Sequence, residues 1–221
     1  EYNFIAWERP FVLTTELFYK KLKDIIPYEV DNIRIRYFAD QKASGYSTGI
    51  DMKINGEFVK GIESWASLSI MKSAENIRYF VDSNGYLLSQ TDVNNGADYD
   101  HDTIIRGIPR PSDQRINFAI FFQDYIPFIP SFKVNLKLIF GTGLPFGPSE
   151  SERYTQKMRM TAYRRVDIGF SKQLIGGDNA MSFGPRNPLK FIRNCWLSLE
   201  VFNLLGVNNV SSYMWVTDIY N

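Results

Sequence analysis

Apolar and polar residues alternate one by one over runs of about 9 to 12 residues, and a period of two sustained that long is the signature of strands with one greasy and one polar face. From Arg115 to Gln123, Ile116, Phe118, Ile120 and Phe122 alternate with Arg115, Asn117, Ala119, Phe121 and Gln123. In the next run Val134, Leu136, Leu138 and Phe140 oppose Lys133, Asn135, Lys137, Ile139 and Gly141. Val166, Ile168 and Phe170 oppose Arg165, Asp167, Gly169 and Ser171, and Leu197, Leu199 and Val201 oppose Ser198 and Glu200. Upstream, Tyr46, Ile50, Met52 and Ile54 face away from Ser47, Gly49, Asp51, Lys53 and Asn55. Ala66, Leu68 and Ile70 do the same against Trp65, Ser67 and Ser69, and a first full strand covers Phe11 to Leu22, with Glu16 and Lys20 on one side. Seven strands are expected, with an eighth possible at Ile33 to Phe38.

Two architectures accept such strands. A soluble β-sandwich, or a lipocalin-like binding protein, would turn the apolar face to a core, but sandwich strands average only about 5 or 6 residues. A tilted membrane strand needs about 9 to 11 residues, and no segment approaches the roughly 20 apolar residues of a spanning helix, so a membrane location would require an antiparallel transmembrane β-barrel. The connections favour the barrel, because they alternate short and long as periplasmic turns and extracellular loops do. Val59 to Ile62 and Tyr125 to Ser131 are short; Glu75 to Ser112 and Thr142 to Ala162 are long loops. Leu174 to Asn194, with Gly176, Gly177, Pro185 and Pro188, is assigned to the periplasmic side by parity. Aromatic residues make up 15% of the chain, and they collect near strand ends as an interfacial girdle would. Trp7, Phe11, Phe58, Trp65, Tyr125, Phe128, Phe132, Phe191 and Trp196 lie toward the periplasmic ends; Tyr19, Tyr46 and Tyr163 lie at the other.

The totals narrow the function. A formal net charge of +1 argues against a nucleic-acid surface, even around Ile33-Arg34-Ile35-Arg36-Tyr37 where basic and apolar residues interleave. One cysteine, Cys195, allows neither an internal disulfide nor a cysteine cluster for metal. The first residues, Glu1-Tyr2-Asn3, resemble no leader and read as a mid-chain start. The lone histidine sits in Asp98-Tyr99-Asp100-His101-Asp102, an acidic loop that reads as solvated rather than as a water-activating site. Asp98, Asp100 and Asp102 are oxygen donors suited to calcium, but Asp92-Val93-Asn94-Asn95-Gly96 lacks the EF-hand spacing. Gly141-Thr142-Gly143-Leu144-Pro145-Phe146-Gly147 lacks the GxGxxG pattern of a phosphate cradle. No enzyme activity and no cofactor is expected.

The segments GYSTGIDMKINGEF from Gly45, ESWASLSIMK from Glu63, PRPSDQRINFAIFFQDYIP from Pro109 and SLEVFNLLGVNNVSSYMWV from Ser198 resemble the last third of a TonB-dependent receptor barrel. The likeness is greatest to receptors with a carboxypeptidase-like regulatory extension and weaker to SusC-like glycan importers. Its most specific part is Val201-Phe202-Asn203-Leu204-Leu205 followed by Asn208-Asn209. The resemblance implies that residues 1–221 are seven or eight strands of a 22-stranded barrel in a Gram-negative outer membrane, without the plug and TonB box and without the last strand, which ends in an aromatic residue. It implies energised uptake of a scarce small-molecule, glycan or peptide substrate, with outer-membrane lipid around the barrel and TonB acting through the plug. Lumen-facing Asp51, Arg115, Lys133, Lys137, Arg165 and Asp167 would then pack against the plug or line the substrate path. Taken without the resemblance, the same lipid-banded wall describes a passive porin equally well.

Overall fold

The computed structural model describes residues 1–31, 34–126, 128–148, 151–176, 192 and 194–216. The protein is all-β. Its strands are β1 (Tyr2–Ala6), β2 (Arg9–Ile25), β3 (Tyr28–Asp31), β4 (Arg34–Tyr37), β5 (Ala43–Val59), β6 (Ile62–Val81), β7 (Leu87–Leu88), β8 (His101–Pro109), β9 (Ile116–Ile126), β10 (Ile129–Gly141), β11 (Pro145–Phe146), β12 (Met158–Arg159), β13 (Tyr163–Ile175) and β14 (Cys195–Val201). One short helix, α1 (Gln90–Asn94), is capped by Ser89, whose side chain and that of Asp92 satisfy each other's backbone N–H groups.

A single antiparallel sheet dominates, in the order β1-β2-β5-β6-β9-β10-β13-β14. All seven expected strands lie in it as neighbours. The sheet is open, with β1 and β14 each paired on one side only among the described residues, so it is a wall and not a closed barrel. β1 was not expected. It joins β2 through Trp7 and Glu8, with φ of 53° and 61°, a two-residue turn of the primed type that fits the twist of the hairpin. β5 joins β6 through Lys60-Gly61, where Gly61 has φ 76° and Glu57 accepts its N–H.

Register shows how far the alternation carries. Leu13, Ile54, Ala66, Ile120, Leu138 and Val166 stand in one cross-strand row, and Val12, Asn55, Trp65, Phe121, Lys137 and Asp167 in a row on the opposite face. The apolar face runs unbroken from β2 to β14 and has no layer packed over it among the described residues. Leu17, Leu197 and Leu199 are 78%, 63% and 65% exposed. At one margin Phe11 lies over Gly56, where a Cβ would overlap its ring, and is flanked by Phe4, Trp7 and Phe58 at ring distances of 5.5, 5.8 and 5.0 Å. At the other margin Tyr19 stacks on Tyr46 at 6.3 Å, and Lys72 extends over Tyr46.

Three expectations need correction. The stretch from Glu75 to Ser112 is not a long loop: β6 continues to Val81, and β8 returns along it, pairing residues 74–81 while β9 pairs residues 65–70. The eighth strand is not part of the wall, since β3 and β4 form a separate hairpin; Ile33 is outside the described residues. Of the aromatics assigned to a lipid-side girdle, Tyr125 and Trp196 belong to the polar face, in register with Lys133 and Gln173, as does Trp65 opposite Asn55, where its alternation puts it. Most of the Leu174 to Asn194 connection, with Gly177, Pro185, Pro188 and Phe191, lies outside the described residues, although Ile175 pairs with Cys195 where β13 and β14 meet.

The buried hydrophobic cluster lies above the wall, in an extension. Ala43, Ile77, Tyr79 and Ile108 are buried there, with Ile25, Leu87, Ile105 and Tyr154 packed around them. Ile77 and Tyr79 continue the polar-face side of β6, so the segment between β10 and β13 folds over that side.

Candidate functional site

The polar face of β10, β13 and β14 brings four of the six expected lumen residues together. Arg165 and Asp167, two apart on β13, share a side of the strand, and the guanidinium donates to the carboxylate through Nε and a terminal nitrogen, both at 2.7 Å. Asp167 is buried and accepts a further bond from the Asn203 N–H at 2.8 Å. Lys137 stands opposite Asp167 in the register but donates to both carboxylate oxygens of Glu200, at 3.3 Å each. Lys133 lies between the rings of Tyr125 and Trp196, 5.0 and 4.8 Å from their centres. Each of these charges is held within the wall, by a counter-charge or an aromatic face.

Asp51 lies apart from this group, on β5. It accepts a 2.5 Å hydrogen bond from Ser69 and faces Glu16 in the register. Arg115 stands one residue before β9, at the upper end of the wall: its carbonyl accepts from the Met71 N–H at 3.0 Å, continuing the ladder with β6, and its Nε pairs with Asp113 at 2.7 Å. The calcium candidates are not brought together. Asp100 contacts His101 Nδ1 at 3.1 Å, Asp102 pairs with Arg78 at 3.3 Å, and among the described residues no three acidic, His or Cys side chains converge as a metal site.

The Phe202 to Asn209 segment acquires a physical role. Asn203, at φ 52°, ends β14; its side chain donates to the Val207 carbonyl and accepts from the Val207 N–H, closing a turn through Gly206. Asn209 then brackets the Arg164 backbone, accepting from its N–H at 3.0 Å and donating to its carbonyl at 2.9 Å, as a strand neighbour would. Phe202 covers the Arg165 guanidinium, 5.1 Å from its ring centre.

A second polar cluster was invisible to sequence reasoning. In the extension, buried Glu75 pairs with Arg153 at 2.9 Å and Arg110 at 3.6 Å, and Arg153 also donates to the Pro109 carbonyl. Glu29 pairs with Arg36 at 2.6 Å and accepts from Gln156 at 2.6 Å. Asp113 repairs the break between β8 and β9: its Oδ1 takes the Ser73 N–H at 2.6 Å, while its Oδ2 takes Arg115 and Arg159. The cluster ties β6, the break, the β3–β4 hairpin and the segment after β10 into one body. Burial pulls the Arg153 guanidinium down from its ordinary value, and Glu75 opposes that by holding the charge. Local spacing contains no signal for these contacts, because the partners come from distant segments.

Compared with protein-family models, with curated proteins and with solved structures, the chain has no match in any of the three. The two clusters present paired charges and carboxamides, and they join strands and loops to one another.

Proposed function

We propose that this chain forms part of the barrel wall of an outer-membrane TonB-dependent receptor, which takes up a scarce nutrient by energised transport. The observation that carries the membrane part is the bare apolar face. Soluble monomers rarely leave an apolar patch above a few hundred Å² uncovered, whereas this one extends across seven consecutive strands. Its height also fits. From the Gly56 row to the Tyr46 row β5 climbs ten residues, about 34 Å at about 3.4 Å per residue. Tilted by about 40°, that projects to about 26 Å, against an apolar band of about 25 Å in outer-membrane barrels. The aromatic and lysine margins are where headgroups would begin.

The receptor part rests on the sequence resemblance, and the lumen-side folding of the extension supports it. Further strands would pair with β1 and β14 to complete the wall, and the charged rows of the polar face would meet a plug. The test is heat-modifiability on gels of the intact protein from washed outer membranes, followed by uptake with and without the proton gradient. A mobility shift with gradient-dependent uptake is expected. Gradient-independent leakage would identify a porin, and a soluble protein without a shift would end the barrel reading.

A further inference from the structure

Directly above the apolar face, on the same side of the sheet, the residues change from aromatic to cationic. The row holding Tyr19 and Thr48 contains Lys72, and the next, holding Tyr46, contains Lys21. One row further, a cleft of about 300 Å3 opens between the ends of β2, β5 and β6, lined by Lys23, Lys42, Ser44, Asn76 and Arg78. Five cations thus climb from the margin of the apolar face. The carboxylates near them are Asp24, which also lines the cleft, Asp40, which shares an adjoining recess with Asp24, Lys42 and Arg78, and Asp102, which pairs with Arg78 at 3.3 Å with both side chains more than half exposed. The cluster around Ile77 and Tyr79 is roofed on the other side of the sheet; on this side Tyr99 packs on Phe80 further along β6, and Asp40 and Gln90 border Lys42 and Arg78 beyond the cleft.

We propose that this basic cleft binds the phosphate groups of anionic membrane lipids, so that specific headgroups anchor the upper rim of the wall. The inference rests on the membrane reading above. Its geometry favours a lipid over a free anion, because acyl chains hanging from a phosphate in the cleft would run down the apolar face past Tyr46 and Tyr19. Lys72 and Lys21 stand at the level where a headgroup meets those chains, and their long stems can lie on the tyrosine rings while the ammonium groups reach upward. Each cation near an anionic surface strengthens binding by about fivefold, and the sum is screened by salt.

The test is native mass spectrometry of the intact protein after reconstitution in vesicles of phosphatidylglycerol or phosphatidylcholine, with the gel heat shift run on the same samples. Phosphatidylglycerol should be retained and phosphatidylcholine lost, and the K23Q/K42Q/R78Q variant should retain phosphatidylglycerol on the order of a hundredfold more weakly. The K23R/K42R variant should bind like the parent, because charge and reach are kept. Equal retention of both lipids, or unchanged retention by the triple variant, overturns the proposal while a persisting heat shift leaves the barrel intact. Full displacement of the lipid by inorganic phosphate alone also overturns it, by making the cleft a free-anion site. Loss of the heat shift in the parent protein overturns both readings together.

Discussion

Along β6 the protein changes its means of holding together. Up to Lys72 the strand belongs to the wall, where each neighbour is joined by backbone ladder bonds, the apolar side chains stand outward uncovered, and the charges of the polar face pair within a strand, as Arg165 and Asp167 do, or across strands, as Lys137 and Glu200 do. From Ser73 onward the same strand is part of a body with a buried apolar cluster and a buried ion-pair network, roofed by segments from distant parts of the chain. The wall has one covered face at most and needs a surrounding medium; the extension makes its own interior. Substitutions should therefore have different consequences according to which region they touch, and the largest differences come first.

Arg153→Ala should have the largest effect. It leaves Glu75, which is fully buried, with only the more distant Arg110, and breaking a buried pair from one side costs about 3–5 kcal/mol. Hydrogen exchange should accelerate across His101–Pro109 and residues 74–81, while residues 65–70 and the β10–β13 ladder keep their protection. Replacing the pair by apolar residues, as E75L/R153M, should recover most of the loss. Loosening spread evenly over both regions would mean that they unfold as one unit.

Leu136→Arg reverses the emphasis. Leu136 is near the middle of β10 on the apolar face, and a cation at mid-bilayer depth costs about 2–4 kcal/mol in an outer-membrane barrel. Denaturant titration in lipid vesicles should reveal that loss, and Asn135→Arg, one residue away on the polar face, should cost little. Equal tolerance of the two substitutions would indicate that water, not lipid, bathes the apolar face.

The contrast between the regions also explains what could be read from the chain. The wall was legible because its two faces differ in polarity on successive residues, and Ile116 to Gln123 or Val134 to Gly141 carry that pattern with few exceptions, Ala119, Phe121 and Ile139. β1 escaped because Tyr2–Ala6 is short, and because its turn uses Trp7 and Glu8 where an Asn-Gly pair would have signalled a hairpin. The extension escaped for a different reason. Its strands face an interior on one side and loops or solvent on the other, so His101–Pro109 shows no alternation, and Glu75 finds Arg153 only after the chain has folded. At the site, the signs of Lys137, Arg165 and Asp167 were legible and their partners were not: Glu200 and Asn203 are placed by register and by a turn.

Asp167→Ala should sharpen the comparison within the wall. It frees the Arg165 fork and the Asn203 N–H at once, a loss of about 1–3 kcal/mol, felt where β13 meets the turn after β14. Exchange at Asn203 and Leu204 should rise while the Arg164 contacts with Asn209 weaken. Glu200→Gln should do less, because the Lys137 pair is partly exposed and such pairs are worth at most about 1 kcal/mol.

The smallest effect is a dependence on pH that belongs to the extension alone. Burial raises the Glu152 carboxyl above its ordinary value of 4.5, Asp92 and Asp40 add to the rise, and Arg36 and the Tyr79 hydroxyl oppose it. A carboxyl raised on folding binds its proton more tightly in the folded state, so its contribution is complete below the unfolded value and is lost as pH rises through the folded one. Protection of the segment around Arg153–Thr155, corrected for intrinsic exchange rates, should therefore fall as pH climbs above about 4.5, and Glu152→Gln should flatten that part of the profile. Protection that instead grows over this range would mean that Arg36 outweighs burial at Glu152, and the roof of the extension would then be an ion-paired surface rather than an interior.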